Sequence, residues 1–179
     1  MTRSYDRLKN FSTEISADKT VMEIERMLTK FGARKTLKEY DLKGNLTGLA
    51  FTVNTPNGEM PIKLPAKIDK IEAVFKVQAS KKLLPSRYFG GDWAREQATR
   101  TAWRTLKDWV DAQFALISIE MVKVEEVFLP YAYSSRMGMT LYEAIENKKV
   151  DLSRMLGSGN EPEKPRPNYI DVDPTEGVD

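Results

Sequence analysis

Residues 92–120, DWAREQATRTAWRTLKDWVDAQFALISIE, carry all three tryptophans of the chain and its longest run of helical periodicity. At about 3.6 residues per turn, Ala102, Trp103, Leu106, Trp109, Val110, Phe114, Leu116 and Ile117 share one broad face. Arg100, Arg104 and Lys107 fall opposite, beside Gln97 and Asp111. A long helix with so wide an apolar face must be covered by other elements, so it organises the fold. Asp92 stands where an N-cap is expected.

The elements that cover it are legible on either side. Val21, Ile24, Met27, Leu28 and Phe31 recur at helical spacing between the capping residues Ser16 and Asp18 and the terminating Gly32, predicting a helix over 17–31. The period then drops to two. Strands are predicted at 34–42, 46–54 and 59–64, joined by Lys43-Gly44-Asn45 and by Thr55-Pro56-Asn57-Gly58. Pro61 cannot donate to a ladder, which places the third strand at an edge. A second helix is expected over 66–80, and a basic loop from Lys81 to Gly91, with Pro85 and Gly90-Gly91, precedes the long helix. Val124 to Tyr133 is predicted as a short extended or irregular packing segment. Thr140-Leu141-Tyr142-Glu143 is a capping box opening a helix to about Lys149. The fold class is therefore α+β: an N-terminal helix, a three-stranded antiparallel meander, then helices. Residues 1–15 are expected to be a flexible arm, 16–156 a single domain, and 157–179 a disordered acidic, Pro-rich tail.

The residues that are missing narrow the chemistry. The chain has no histidine and no cysteine, so disulfides, thiolate or imidazole metal sites, cysteine nucleophiles and His-containing triads are excluded. No P-loop, G-x-G-x-x-G or G-x-S-x-G motif occurs. Glu125-Glu126 and Asp171-x-Asp173 could ligate a hard cation, but solvated charge accounts for both. The expectation is a non-enzymatic protein with no cofactor and no metal. No stretch approaches the roughly 20 apolar residues of a membrane-spanning helix, and MTRSYDRLKNF has no apolar signal region, so a cytoplasmic protein without a membrane partner is expected.

Net charge of +2 conceals an asymmetry. Residues 1–90 hold 17 Lys and Arg against 10 Asp and Glu, residues 91–156 hold 9 against 10, and residues 157–179 hold 2 against 6. A basic half suggests an anionic partner, DNA or RNA, while lysine-rich edges also serve solubility alone. The candidate nucleic-acid-binding residues are Lys81, Lys82, Arg87 and Tyr88 in the loop, Trp93 at the helix mouth, and the row Arg100, Arg104 and Lys107. Local pairs Arg104–Asp108 and Lys107–Asp111 offer the row a purely structural reading. Trp103 and Trp109 belong to packing. Arg34, Lys35, Lys38, Lys43, Lys63, Lys67, Lys70 and Lys76 form a second basic set around the meander.

Glu23–Ala33 (EIERMLTKFGA), the meander ending at Leu64-Pro65, Ala102–Ile117 (AWRTLKDWVDAQFALI), Glu125–Tyr131 (EEVFLPY) and Thr140–Glu143 (TLYE) together resemble a family of small proteins encoded by phages and prophages, whose members have no assigned activity. The resemblance spans about residues 17–146. It implies a phage-type accessory protein in the bacterial host cytoplasm and carries over no catalytic or binding residue. Two functions follow as expectations. One is nucleic-acid binding in DNA metabolism through the basic half. The other is a protein-interaction module that modulates a host enzyme or defence system through the meander edge or the 124–133 segment.

Overall fold

The computed structural model describes residues 7–151, together with 153, 156 and 157. The acidic tail, from residue 158 onward, lies outside the described residues. Helix α1 (Ala17–Lys30) starts at Ser16, whose hydroxyl accepts the Lys19 N–H at 3.3 Å, and it buries Val21, Ile24 and Leu28. Strands β1 (Lys35–Tyr40), β2 (Leu46–Thr55) and β3 (Gly58–Pro65) form an antiparallel meander in the order β1-β2-β3. Asp41 shapes the first hairpin by accepting the N–H groups of Lys43 and Asn45 at 2.9 and 2.8 Å. The Asn45 side-chain amide together with these bonds holds Asp41 below the usual carboxylate range. Gly58, at φ +113°, closes the second hairpin.

The inner face of the sheet carries Leu49, Phe51, Val53, Ile62 and Leu64, all nearly fully buried. Against it pack α1 and helix α3 (Asp92–Ser118), whose 27 residues span about 40 Å. Trp103 is completely buried, and its indole N–H donates to the Leu46 carbonyl at 3.1 Å. Phe31 stacks on Phe114 at 4.1 Å, while Phe128 packs edge-on against Phe51 and Trp109. A second cluster forms where helix α2 (Ile68–Ser80) crosses the N-terminal part of α3, around Phe75, Leu84, Tyr88, Ala98 and Ala102. Ala66 touches both clusters. Among the described residues no helix is long and apolar enough to cross a membrane.

Three expectations are corrected. Residues 8–13, taken for part of a flexible arm, are strapped to the second cluster. Leu8 and Phe11 pack into it, Gln97 donates to the Phe11 and Thr13 carbonyls at 2.8 and 3.0 Å, and Thr101 donates to the Asn10 carbonyl. Gln97 is thus buried under the strap and does not share the solvent face of Arg100. Val124–Phe128 is a helical turn, α4, continued by a 3-10 turn at Leu129–Tyr131. It is helical because the Glu126 carboxylate accepts the Lys123 N–H at 3.0 Å while Phe128 is drawn into the core. Asp92 does not cap α3: Gly91, at φ +85°, occupies that position, a conformation open to glycine. A short hairpin, β4 (Tyr133–Ser134) with β5 (Met139–Thr140), then leads into α5 (Leu141–Glu146). There the expected capping box is present, with Glu143 accepting the Thr140 N–H at 2.8 Å. That bond, opposed by burial, keeps the Glu143 carboxyl below its ordinary value.

Candidate nucleic-acid interface

The loop between α2 and α3 turns sharply at Lys82, which has φ +58°, and runs through a 3-10 turn at Ser86–Phe89. Tyr88 anchors it. Its ring meets Phe75 and Trp93 edge-on, each at 4.9 Å, and its hydroxyl donates to the Phe11 carbonyl at 3.3 Å. At 2% exposure Tyr88 has no face left for a base, so its expected role as a contact residue is corrected to that of a support. Trp93 remains 36% exposed, and the Arg87 guanidinium lies over its ring at 4.5 Å. This is a surface cation–aromatic pair, held from beneath by a buried tyrosine.

Lys81, Lys82 and Arg87 are all exposed, and no acidic side chain pairs with them among the described residues. Beside them opens a shallow groove of about 510 Å³, bordered by Arg7, Lys82, Pro85, Ser86 and Phe89. No Asp or Glu lines it, and Phe89 is 54% exposed. Arg7 and Phe89 were not among the expected contact residues. The sequence holds no signal for Arg7, which reaches the groove only because the strap folds back over α2.

The cationic row on α3 is not part of this surface. Arg100 pairs with Glu96 at 3.1 Å and donates to Gln97, Arg104 pairs with Glu23 of α1 at 2.8 Å, and Lys107 pairs with Asp111 at 3.1 Å. The expected Arg104–Asp108 pair is absent because Asp108 is taken by Lys9 and Asn10 of the strap, at 2.9 and 3.1 Å. With their charges matched and their side chains less than a quarter exposed, Arg100, Arg104 and Lys107 are corrected to structural roles. In the second basic set, Lys35, Lys38 and Lys63 are paired with Glu59, Glu25 and Glu39. The Glu25 hydrogen bond, against some burial, raises Lys38 above its usual value.

A more voluminous groove, about 820 Å³, borders the first turn of α3 at Gly91, Asp92 and Arg95 and has a different character. Asp41, Glu72, Asp92 and Glu96 line it with Lys43 and Arg95. Hydrogen bonds to Asp69 and Glu72 hold Arg95 still more firmly protonated, and they leave it no free charge for a ligand. Among the described residues no group of three or more acidic side chains is placed to hold a metal ion. The four carboxylates of this groove make it an unfavourable place for an anion, whereas no acid lines the groove at Lys82 and Phe89.

A third feature is amphipathic. Lys67, Leu106, Pro130, Tyr131, Tyr142 and Glu143 border a cavity of about 320 Å³. It continues past the shared Lys67, Leu106 and Tyr131 into one of about 390 Å³ bounded by Lys70, Ile71 and Trp109. The buried Thr105 hydroxyl on its wall has no hydrogen-bond partner among the described residues. Neither Tyr131 nor Tyr142 stands out in the sequence, since their convergence depends on the 3-10 turn and α5 folding onto α3. No protein-family model, no curated protein and no solved structure matches the chain.

Proposed function

We propose that the protein binds nucleic acid without catalysing a reaction, through the α2–α3 loop. Lys81, Lys82, Arg87 and Arg7 contact phosphates, and Phe89 and Trp93 offer ring surface to a base or sugar. The observation that carries this reading is a patch of cations with no acidic partner among the described residues, set beside exposed aromatic rings and a groove that no Asp or Glu lines. The resemblance to phage-encoded proteins suggests a setting in phage DNA metabolism inside the bacterial cytoplasm.

The test is fluorescence anisotropy with labelled single-stranded DNA, duplex DNA and RNA, over roughly 50 to 200 mM salt. Binding is expected to weaken steeply with salt. Arg87→Ala and Lys82→Ala should each reduce the logarithmic salt slope by about one, and Arg104→Ala, whose partner is Glu23, should leave it unchanged. Absence of binding to all three probes at the lowest salt overturns the reading.

The second reading is a protein-interaction module that modulates a host enzyme or defence system. The observation favouring it is the amphipathic cavity above, beside which Leu129 and Tyr142 are 50% and 52% exposed. One stoichiometric host protein, captured by the native chain and lost with Tyr142→Ala, supports it.

A further inference from the structure

Strand β1 is an edge strand, and among the described residues its only ladder partner is β2. Alternate backbone N–H and C=O groups of such a strand point away from its single neighbour, a template for another strand. Natural edges are commonly blunted by lysines, bulges or covering loops. Here the charges are arranged differently. On the outer face of the sheet, Lys35, Leu37 and Glu39 follow one another at period two, with Leu37 62% exposed at the centre. On the inner face Lys38 is drawn down onto Glu25 of α1 at 2.9 Å, leaving the edge clear of that ammonium.

We propose that two copies of this chain join through their β1 strands, antiparallel and two-fold symmetric about Leu37, into one continuous six-stranded sheet. A two-fold contact is self-complementary by construction, so each residue must suit its symmetry-related opposite. Centred on Leu37, Lys35 faces the partner's Glu39, Leu37 faces the partner's Leu37, and Glu39 faces the partner's Lys35. Moving the centre to Thr36 or Lys38 sets Leu37 opposite a charge and leaves the ion pairs unmade. Outer-face alternation therefore selects one register and penalises its neighbours.

The surrounding groups extend the match. Within one chain Lys35 pairs with Glu59 at 3.3 Å and Lys63 pairs with Glu39 at 2.8 Å. In the dimer these become a row of alternating sign across the seam: Glu59, Lys35, the partner's Glu39, the partner's Lys63. Lys35, whose side chain is 70% exposed, is free to turn between its two carboxylates. On the inner face the same register sets Tyr40, 53% exposed, opposite the partner's Arg34, which has no acidic partner among the described residues.

Sedimentation equilibrium measures the association, with far-UV circular dichroism confirming that each variant is folded. The native chain is expected at twice its 20.4 kDa mass, falling to one chain on dilution. Lys35→Glu alone and Glu39→Lys alone should each weaken self-association tenfold or more, because each places like charges opposite one another twice. Mixing the two variants should restore a dimer containing one of each, since every seam pair is then of opposite sign. Because the chain has no cysteine, Leu37→Cys adds a lone thiol, and mild oxidation should cross-link it at the two-fold axis. A native chain that stays monomeric, a dimer indifferent to both charge reversals, or a Leu37→Cys chain that does not cross-link overturns the proposal.

Discussion

Gln97 sits in the middle of α3 at 4% exposure, and every polar group of its amide is used. Its nitrogen donates to two strap carbonyls and its oxygen accepts from Arg100 at 3.2 Å. Gln97→Ala removes both donors; the Phe11 carbonyl keeps the longer bond from Tyr88, but the Thr13 carbonyl loses its side-chain donor. The expected cost is about 1–3 kcal/mol, read as a lower urea midpoint at unchanged slope. A change within about 0.5 kcal/mol removes Gln97 as the clamp of the strap. Trp103 was legible from periodicity alone, because an apolar residue on the wide face of a long helix has nowhere to go but inward. Gln97 was not, since the carbonyls it serves lie 84 and 86 residues earlier and a helical wheel sees only neighbours. Arg104 went the same way: the local partner Asp108 was visible at i+4, but the pairing with Glu23 needed α1 to dock on α3. Tyr88 combined both problems, an aromatic in a basic loop whose burial depends on Phe11 and Phe75.

The strap is the element that joins the start of the described chain to α3, and it has an electrostatic latch. Burial raises the Asp108 carboxyl, but hydrogen bonds from Lys9 and Asn10 outweigh it and the group is held below its ordinary value. A carboxylate depressed in the folded state adds stability that is fully present above its unfolded value, near 3.9, and lost as pH falls through the folded one. Asp108→Asn should therefore lower the urea midpoint near neutral pH, and the gap to the native chain should narrow as pH falls below the ordinary carboxylate range. Glu143, likewise held below its ordinary value by the Thr140 N–H, is common to both chains and cancels in the difference. A gap independent of pH excludes Asp108 as the latch. Among the elements, α1, α2, α3 and the meander were readable because each repeats its period over several turns or alternations. Helix α4 was not: five residues make little more than one turn, Pro130 follows at once, and Val124, Val127 and Phe128 suit a strand or a helix equally.

At the scale of the molecule, the basic half of the chain is less basic in space than in sequence. Glu23, Glu25, Glu39 and Glu59 absorb Arg104, Lys38, Lys63 and Lys35. Among the described residues, the cations left without an ion pair include Lys81, Lys82 and Arg87 in the α2–α3 loop and Lys70 and Lys76 on α2, with others at Lys19, Arg26, Lys30, Arg34 and Lys43. Helix α3, which begins where that loop ends, ties the two apolar clusters together. Ala98 and Ala102 belong to the smaller cluster and Trp103, Val110 and Phe114 to the larger, with no break in α3 between them. Ala66 bridges them a second time, so loss of one cluster should unload the other. Phe75→Ala in the smaller and Phe128→Ala in the larger each remove a fully buried ring, at an expected cost of about 3–5 kcal/mol. Both variants should unfold in one transition, with the midpoint lowered equally for tryptophan fluorescence and far-UV circular dichroism. The tryptophans report on both sides, since Trp103 and Trp109 belong to the large cluster and Trp93 rests on Tyr88 of the small one. If Phe75→Ala moves an early transition seen by only one of these signals, the clusters are energetically separate, and the continuity of α3 between them does not transmit the loss.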